Sequence, residues 1–380
     1  MDRVYFPGLN GLRAIAALAV VFSHLTIALG DFNLNAHLLG TLPNGNPKGI
    51  DLADFGVSIF FSLSGFLITY LLLAENSRGR INIKNFYIRR ILRIWPLYYL
   101  YFLFASLCIA WWKIPHEHFF NFFYVFFSAN VPKVFQTKSE LLGHYWSLGV
   151  EEQFYLFWPW FVLRFSHRLF SATACLLILL VGAKIIAHFV FPDTYFETAM
   201  YVNRFDCMLI GALGAILYFN KNRRFIAIAT APMAQLIAWL CIFLAAVNNF
   251  HLAAIVDQEI MCLVTVTLII GQIASNHPVI MLERRAFDFL GRISYGIYVI
   301  HPLIIFGLSK VWIDMPLPPF FQYLLIYTIA VGLTILLSYL SFEYFEKRFL
   351  AMKGWFSTVK TVDSLEQSNQ EASSHSKPAG

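Results

Sequence analysis

The chain has 380 residues, of which 58% are hydrophobic and 13% charged. A soluble domain needs far more charge to cover its surface, so the composition excludes an ordinary soluble enzyme and favours one polytopic membrane unit. The net charge of +6 reads as membrane orientation and not as nucleic-acid binding.

Roughly 20 apolar residues cross a bilayer as a helix, and on that basis the chain holds about ten spans. They lie near 12–29, 56–74, 94–112, 145–163, 170–190, 205–219, 225–247, 255–273, 288–309 and 320–341. The expected fold class is therefore all-α, a polytopic integral membrane helical bundle of about ten transmembrane helices. Asp2 and Arg3 precede the first run without a small-residue cleavage site, which predicts a retained helix and not a signal peptide. The five cysteines each sit singly in apolar runs, so neither a disulfide framework nor a metal site is expected.

The first span, "GLRAIAALAVVFSH", carries Arg13 and His24 eleven residues apart. That is almost three helical turns, so they share a face, about 16 Å apart along the axis. Ionisable groups in spans mark function by default. The simpler account is an arginine snorkelling to headgroups and a histidine bonded between helices. In the second span, "FFSLSGFLIT" places Ser62, Ser64 and Gly65 among apolar residues, a composition suited to close helix packing. No nucleophile elbow surrounds the serines.

"NFYIRRILRIWPLYYL" brings Arg89, Arg90 and Arg93 to the start of the third span. Arg90 and Arg93 share a helical face and suit phosphates, or they are ordinary positive charge facing anionic lipid. The aromatic stretch 119–130 is too short to span and reads as re-entrant or interfacial. "HYWSLGVEEQFYLFWP" opens the fourth span with adjacent Glu151 and Glu152, which point about 100° apart, so at most one faces the bundle interior squarely. In "RFDCMLIGALGA", Gly211 and Ala215 predict a small-residue contact, and Arg204 with Asp206 a local ion pair. "LGRISYGIYVIHPL" sets Ser294, Tyr298 and His301 on one stripe. His301 lies about 13 Å beyond Arg292, a depth comparable to that of His24, so the two histidines can approach one midplane cavity.

A cytoplasmic N-terminus puts 21 of the 28 lysines and arginines inside. Lys48, Lys113, Lys133, Lys138, Arg204 and Lys310 fall outside, and Lys184 lies within a span. The bias predicts a multi-pass protein of the cell (inner or plasma) membrane with both termini cytoplasmic and the 191–203 loop outside. The Ser-, Gln- and Glu-rich stretch over 351–380 reads as a disordered cytoplasmic tail.

Taken together and in order, the quoted motifs resemble the acyltransferase 3 family of membrane-bound O-acyltransferases over residues 1–350. The resemblance implies transfer of an acyl group, usually acetyl, from cytoplasmic acyl-CoA to hydroxyls of extracytoplasmic glycans or lipid-linked precursors. It implies no permanently bound cofactor, with acyl-CoA as co-substrate. Arg13, Arg90 and Arg93 would hold its phosphates, and His24 would act as base or acyl relay. Glu151 or Glu152 would orient the histidine, His301 would share its cavity, and Ser64 and Tyr298 would give structural or oxyanion support. Some members carry an SGNH-type hydrolase domain. With a short polar tail instead, this chain is expected to work alone or with a separate extracytoplasmic partner. A transporter or flippase of a lipid-linked glycan is the rival reading; it gives no reason for Arg13 and His24 to share a face. Reporter fusions after Gly354 are expected to be active on the cytoplasmic side alone, and activity on the outer side would reverse the topology.

Overall fold

The computed structural model describes residues 5–37, 40–42, 45–79, 81–137, 139–313 and 316–356. Most of the expected tail, with Lys360 and Lys377, lies outside the described residues, as do Arg3, Arg80 and Lys138. The described chain is all-α. Its first half contains α1 (Leu9–Ile27), α2 (Asp51–Asn76), α3 (Ile83–Trp111), the short α4 (Asn121–Val125) and α5 (Asn130–Val134), α6 (Tyr145–Arg164) and α7 (Leu169–Val190). Then follow α8 (Tyr195–Asn203), α9 (Phe205–Phe219), α10 (Arg223–Thr230), α11 (Pro232–Ala246) and α12 (Asp257–Ala274). The chain closes with α13 (Arg285–Arg292), α14 (Ser294–Val311), α15 (Pro319–Ser341) and α16 (Lys347–Met352).

Among the described residues, eight helical stretches are long and apolar enough to cross a membrane. A ninth is added if α10 and α11, bent by 58° at their break, count as one span. Pro232 causes that break, since a proline opens a helix readily but cannot continue one. Helix α6, expected as the fourth span, has 20 residues but does not pass the same test of apolarity. Its tyrosines, tryptophans, Glu151, Glu152 and Gln153 dilute the signal. The protein is thus a multi-pass membrane bundle. The aromatic stretch folds into short turns and α4 instead of a spanning helix.

Three boundaries differ from the sequence expectation. Helix α3 starts at Ile83, because the Asn82 side chain accepts from the Asn85 amide at 3.0 Å and caps it. The arginines thus lie on the same continuous helix as the expected span, which begins about three turns earlier than expected. The loop expected over 191–203 contains α8, capped by Thr194. The predicted span 288–309 is divided at Ile293 into α13 and α14.

The centre of the bundle is set by glycine. A Cβ on Gly65 of α2 would collide with the Met208 carbonyl of α9, and one on Gly211 of α9 with the Ser62 carbonyl of α2. Gly56 of α2 meets the Ala16 carbonyl of α1 in the same way. The contact expected around Gly211 is therefore real, and its partner is α2. Ion pairs join the next ring of helices. Arg204 does not pair with Asp206 as the sequence suggested. It reaches Asp54 of α2 at 2.8 Å and lies over the Trp146 ring at 5.1 Å. Its backbone is left-handed at φ 33°, a strained state for a non-glycine residue, and bonds to Tyr201 and Asp54 hold it there. Asp206 instead faces Lys184 of α7 at 3.9 Å, and Lys184 bonds Glu259 of α12 at 2.7 Å.

Gly65→Ala or Gly211→Ala is expected to destabilise the bundle by about 1–3 kcal/mol or more through overpacking. A lowered thermal midpoint in detergent would report it. Gly182→Ala, which meets open space, should leave the midpoint unchanged or slightly raised.

Candidate active site

A cavity of about 180 Å³ lies between α1, α2, α3, α6 and α14. Arg13 near the start of α1, Arg90 and Arg93 in the first half of α3, and Lys353 just after α16 line one part of it. Ser64 of α2 with Glu151 and Tyr155 of α6 form a side wall, and Ser147 of α6 with Tyr298 of α14 line it further along those helices. All three arginines expected at a phosphate site thus face one cavity. Arg90 stands over the Tyr155 ring at 5.7 Å and the Phe86 ring at 5.9 Å. Its Nε is buried without a hydrogen-bond partner among the described residues. Arg89, its neighbour, does something else: it grips Glu75 with two bonds of 3.2 Å and the Phe356 carbonyl at 2.7 Å. That anchor ties the segment holding Lys353 to α3.

Beyond Ser147 and Tyr298 is a cluster of histidines. His24 Nδ1 and His301 Nε2 are 2.8 Å apart, joining α1 to α14. His301 is fully buried, and its Nδ1 lies 3.1 Å from the Ile297 carbonyl one turn back. The His144 ring packs 5.6 Å from that of His301 and 5.7 Å from that of Tyr298. The Tyr298 hydroxyl donates to the His144 carbonyl at 2.9 Å and meets Ser147 Oγ at 2.5 Å.

These bonds assign the protons. A carbonyl only accepts, so His301 carries its hydrogen on Nδ1 and offers a lone pair at Nε2. His24 must then donate through Nδ1, which leaves the lone pair on its Nε2. A neutral His24 is held in the tautomer a general base requires, and any positive charge it gains can be shared with His301.

The carboxylates are placed differently from the sequence expectation. Glu151 accepts from the hydroxyls of Ser64 and Tyr155, and Glu152 accepts from Trp95 Nε1 at 3.2 Å. Among the described residues neither is hydrogen-bonded to a histidine, so the group orienting His24 is His301. Adjacent helix positions diverge by about 100°, and the pair diverges accordingly: Glu151 faces the cavity and Glu152 faces α3. Through Tyr155, Glu151 supports the ring beneath Arg90. Ser64 and Tyr298, expected as oxyanion support, have their hydroxyl protons committed to Glu151 and to the His144 carbonyl. The sequence reading passed over two residues. His144 stands at the N-cap position of α6 without a side-chain cap bond; it is the first residue of "HYWSLGVEEQFYLFWP", where only the two glutamates drew a role. Lys353 follows the last span, and its sole signal was positive charge.

The chain matches known proteins along most of its length. The family model described as "Acyltransferase domain" matches residues 6–343. The chain is 27% identical over 375 residues to SACOL0978 of Staphylococcus aureus (strain COL), provisionally named an O-acetyltransferase, covering 91% of this chain and 57% of that protein. It is 26% identical over 370 residues to O-acetyltransferase OatA of Staphylococcus aureus (strain NCTC 8325 / PS 47), covering 90% and 57%. The chain thus spans less than two thirds of the length of these relatives. No solved structure gives a significant match.

His24→Gln is expected to lower turnover by about 10²–10⁴-fold, the usual cost of losing a general base, since an amide cannot accept the proton. His301→Gln should lose less, because its carbonyl oxygen can still receive the His24 Nδ1 hydrogen. Steady-state rates of the two variants in membranes check this ordering; a His24→Gln rate within a few-fold of the parent would place His24 in a packing role.

Proposed function

The chain belongs to the acyltransferase domain family, and we propose that it moves an acyl group, acetyl by preference, from cytoplasmic acyl-CoA to a hydroxyl of an extracytoplasmic glycan or lipid-linked glycan precursor. The observation that carries this reading is the cavity lined by Arg13, Arg90, Arg93 and Lys353, with histidines behind its Ser147–Tyr298 wall. Coenzyme A is charged at its phosphates and bears its acyl group at the end of a long, less polar arm. Arginine forks match phosphate oxygens, and Lys353 adds a point charge. Both termini are cytoplasmic in this reading, which places the cations on the donor's side.

In direct transfer, the acceptor hydroxyl gives its proton to His24 Nε2 as its oxygen bonds to the thioester carbon. Collapse of the tetrahedral intermediate breaks the carbon–sulfur bond, and the sulfur leaves with the electron pair and receives the proton from His24. His301 keeps the base in its tautomer and shares its transient charge. Glu151 and Tyr155 position Arg90, and Arg89 holds the Lys353 segment over the same mouth. In the relay alternative His24 Nε2 adds to the thioester carbon and the carbon–sulfur bond breaks with its electron pair going to sulfur; the acceptor hydroxyl then takes the acyl group from the nitrogen, and its proton passes to the released thiolate. No resident cofactor enters either route.

The buried Lys184 cluster would also suit a transporter or flippase of a lipid-linked glycan. Radiolabelled acetyl-CoA separates the two, because only acyl transfer leaves label on the glycan. Within the transfer reading, Arg90→Ala combined with Arg93→Ala is expected to raise KM for acetyl-CoA about tenfold or more, as charged hydrogen bonds are lost, with little change in acceptor dependence. Arg89→Ala should instead chiefly lower thermal stability, and raise KM for acetyl-CoA less than the double variant does, since it only loosens the Lys353 segment. A double variant that changed acceptor dependence alone would return these arginines to lipid anchoring.

A further inference from the structure

Acyl transfer needs more than a base. As the acceptor oxygen adds to the thioester carbon, the carbonyl oxygen becomes an oxyanion, and a pre-placed hydrogen-bond donor in a dry site stabilises it strongly. The polar hydrogens around the candidate site can be accounted for one by one. Ser64 gives its hydrogen to Glu151, and Tyr298 gives its own to the His144 carbonyl. The Ser147 hydroxyl lies between Tyr298 and that same carbonyl, at 2.5 and 3.3 Å. His24 donates to His301, and His301 to the Ile297 carbonyl.

One side chain is left over. His144 is 5% exposed, and neither of its ring nitrogens makes a hydrogen bond of acceptable distance and angle among the described residues; the Val299 backbone on α14 is close enough to interact with the ring but does not meet that geometry. A neutral imidazole carries one N–H whatever its tautomer, so the ring holds an uncommitted donor. Leaving such a donor buried and unpaired is costly and calls for an explanation. Packing does not explain it. The ring sits among Tyr101 and Tyr145, with centroids 5.4 and 4.9 Å away, and phenylalanine would fill that nest with no polar group to satisfy.

We propose that His144 is a catalytic hydrogen-bond donor that holds the acyl carbonyl oxygen as it becomes the oxyanion. The inference rests on the acyl-transfer reading and adds to it the site of oxyanion stabilisation. The place fits: His144 lies one helical turn before Ser147 of the cavity wall, and its ring meets those of Tyr298 and His301. The carbonyl electron pair moves onto oxygen as the acceptor adds, the His144 N–H bonds that oxygen, and the pair returns as the carbon–sulfur bond breaks. His144 keeps its proton throughout; the proton of the hydroxyl travels by way of His24.

The test compares His144→Phe with His144→Gln in the full chain, assayed with radiolabelled acetyl-CoA and host membranes as acceptor. His144→Phe should lower kcat by about 10²–10³-fold, the usual effect of removing an oxyanion donor, with KM for acetyl-CoA nearly unchanged. His144→Gln, which restores an N–H, should recover to within about tenfold of the parent. Acetyl-CoA carrying carbon-13 at its carbonyl should show a lowered carbonyl stretch when bound to the parent and not when bound to His144→Phe. Parental rates in both variants, or a glutamine variant as poor as the phenylalanine one, would overturn the proposal while transfer by the parent stands. A parent that leaves no label on glycan would overturn the acyl-transfer reading and this inference with it.

Discussion

The close approach of α2 to α1 and α9 is the constraint on which the rest of this bundle depends. In lipid no hydrophobic force draws helices together, so association relies on van der Waals contact and hydrogen bonding. Gly56, Gly65 and Gly211 permit backbone-to-backbone contact at three points. With α2 locked between its neighbours, its remaining faces become walls. Ser64 is turned to the cavity and bonds Glu151, Ser62 bonds the Cys262 carbonyl of α12 at 3.3 Å, and Asp54 meets Arg204. On α1 the same lock fixes His24 against α14.

Charges inside the bundle fall into two groups. Arg204 with Asp54, Lys184 with Glu259 and Asp206, and Arg89 with Glu75 are ion pairs between separate helices. Removing one partner of such a pair strands the other, at about 3–5 kcal/mol for buried cases. They staple the frame. Arg90 belongs to the other group: it rests on aromatic rings with its Nε unbonded among the described residues, and it faces open space. Adjacent arginines on one helix are therefore placed differently, Arg89 as a strut between helices and Arg90 stacked on aromatic rings at the cavity wall.

Helical period made much of the site legible before any coordinates. Arg13 and His24 on one face, Arg90 beside Arg93, and Tyr298 one turn before His301 all follow from 3.6 residues per turn. The same period correctly separated Glu151 from Glu152. What period cannot supply is the partner on another helix. Arg204 looked bound to the nearby Asp206 and instead crosses to Asp54. Glu151 looked suited to a histidine and instead meets Ser64 and Tyr155. His144 lies at a helix cap, where no apolar rhythm marks a residue, and Lys353 reaches the cavity only because the chain folds back after α16. Aromatic-rich α6 is long enough to span yet reads as insufficiently apolar, because tyrosine and tryptophan count weakly as hydrocarbon while packing well.

The Ser147–Tyr298 contact has a bearing on the membrane itself. It stands between a basin lined with cations and a pair of bonded imidazoles, His24 being partly exposed. Imidazoles in series pass protons readily, and a continuous file of water joining them to the basin would make the bundle a proton leak. A cell that stores energy as a proton gradient cannot tolerate such a conductance. The two hydroxyls lying between basin and imidazoles, bonded to each other and to a backbone carbonyl, are the groups such a file of water would have to displace. If the proposed transfer runs between the two faces of the membrane, the bundle has to let a chemical group cross while the electrical circuit stays open.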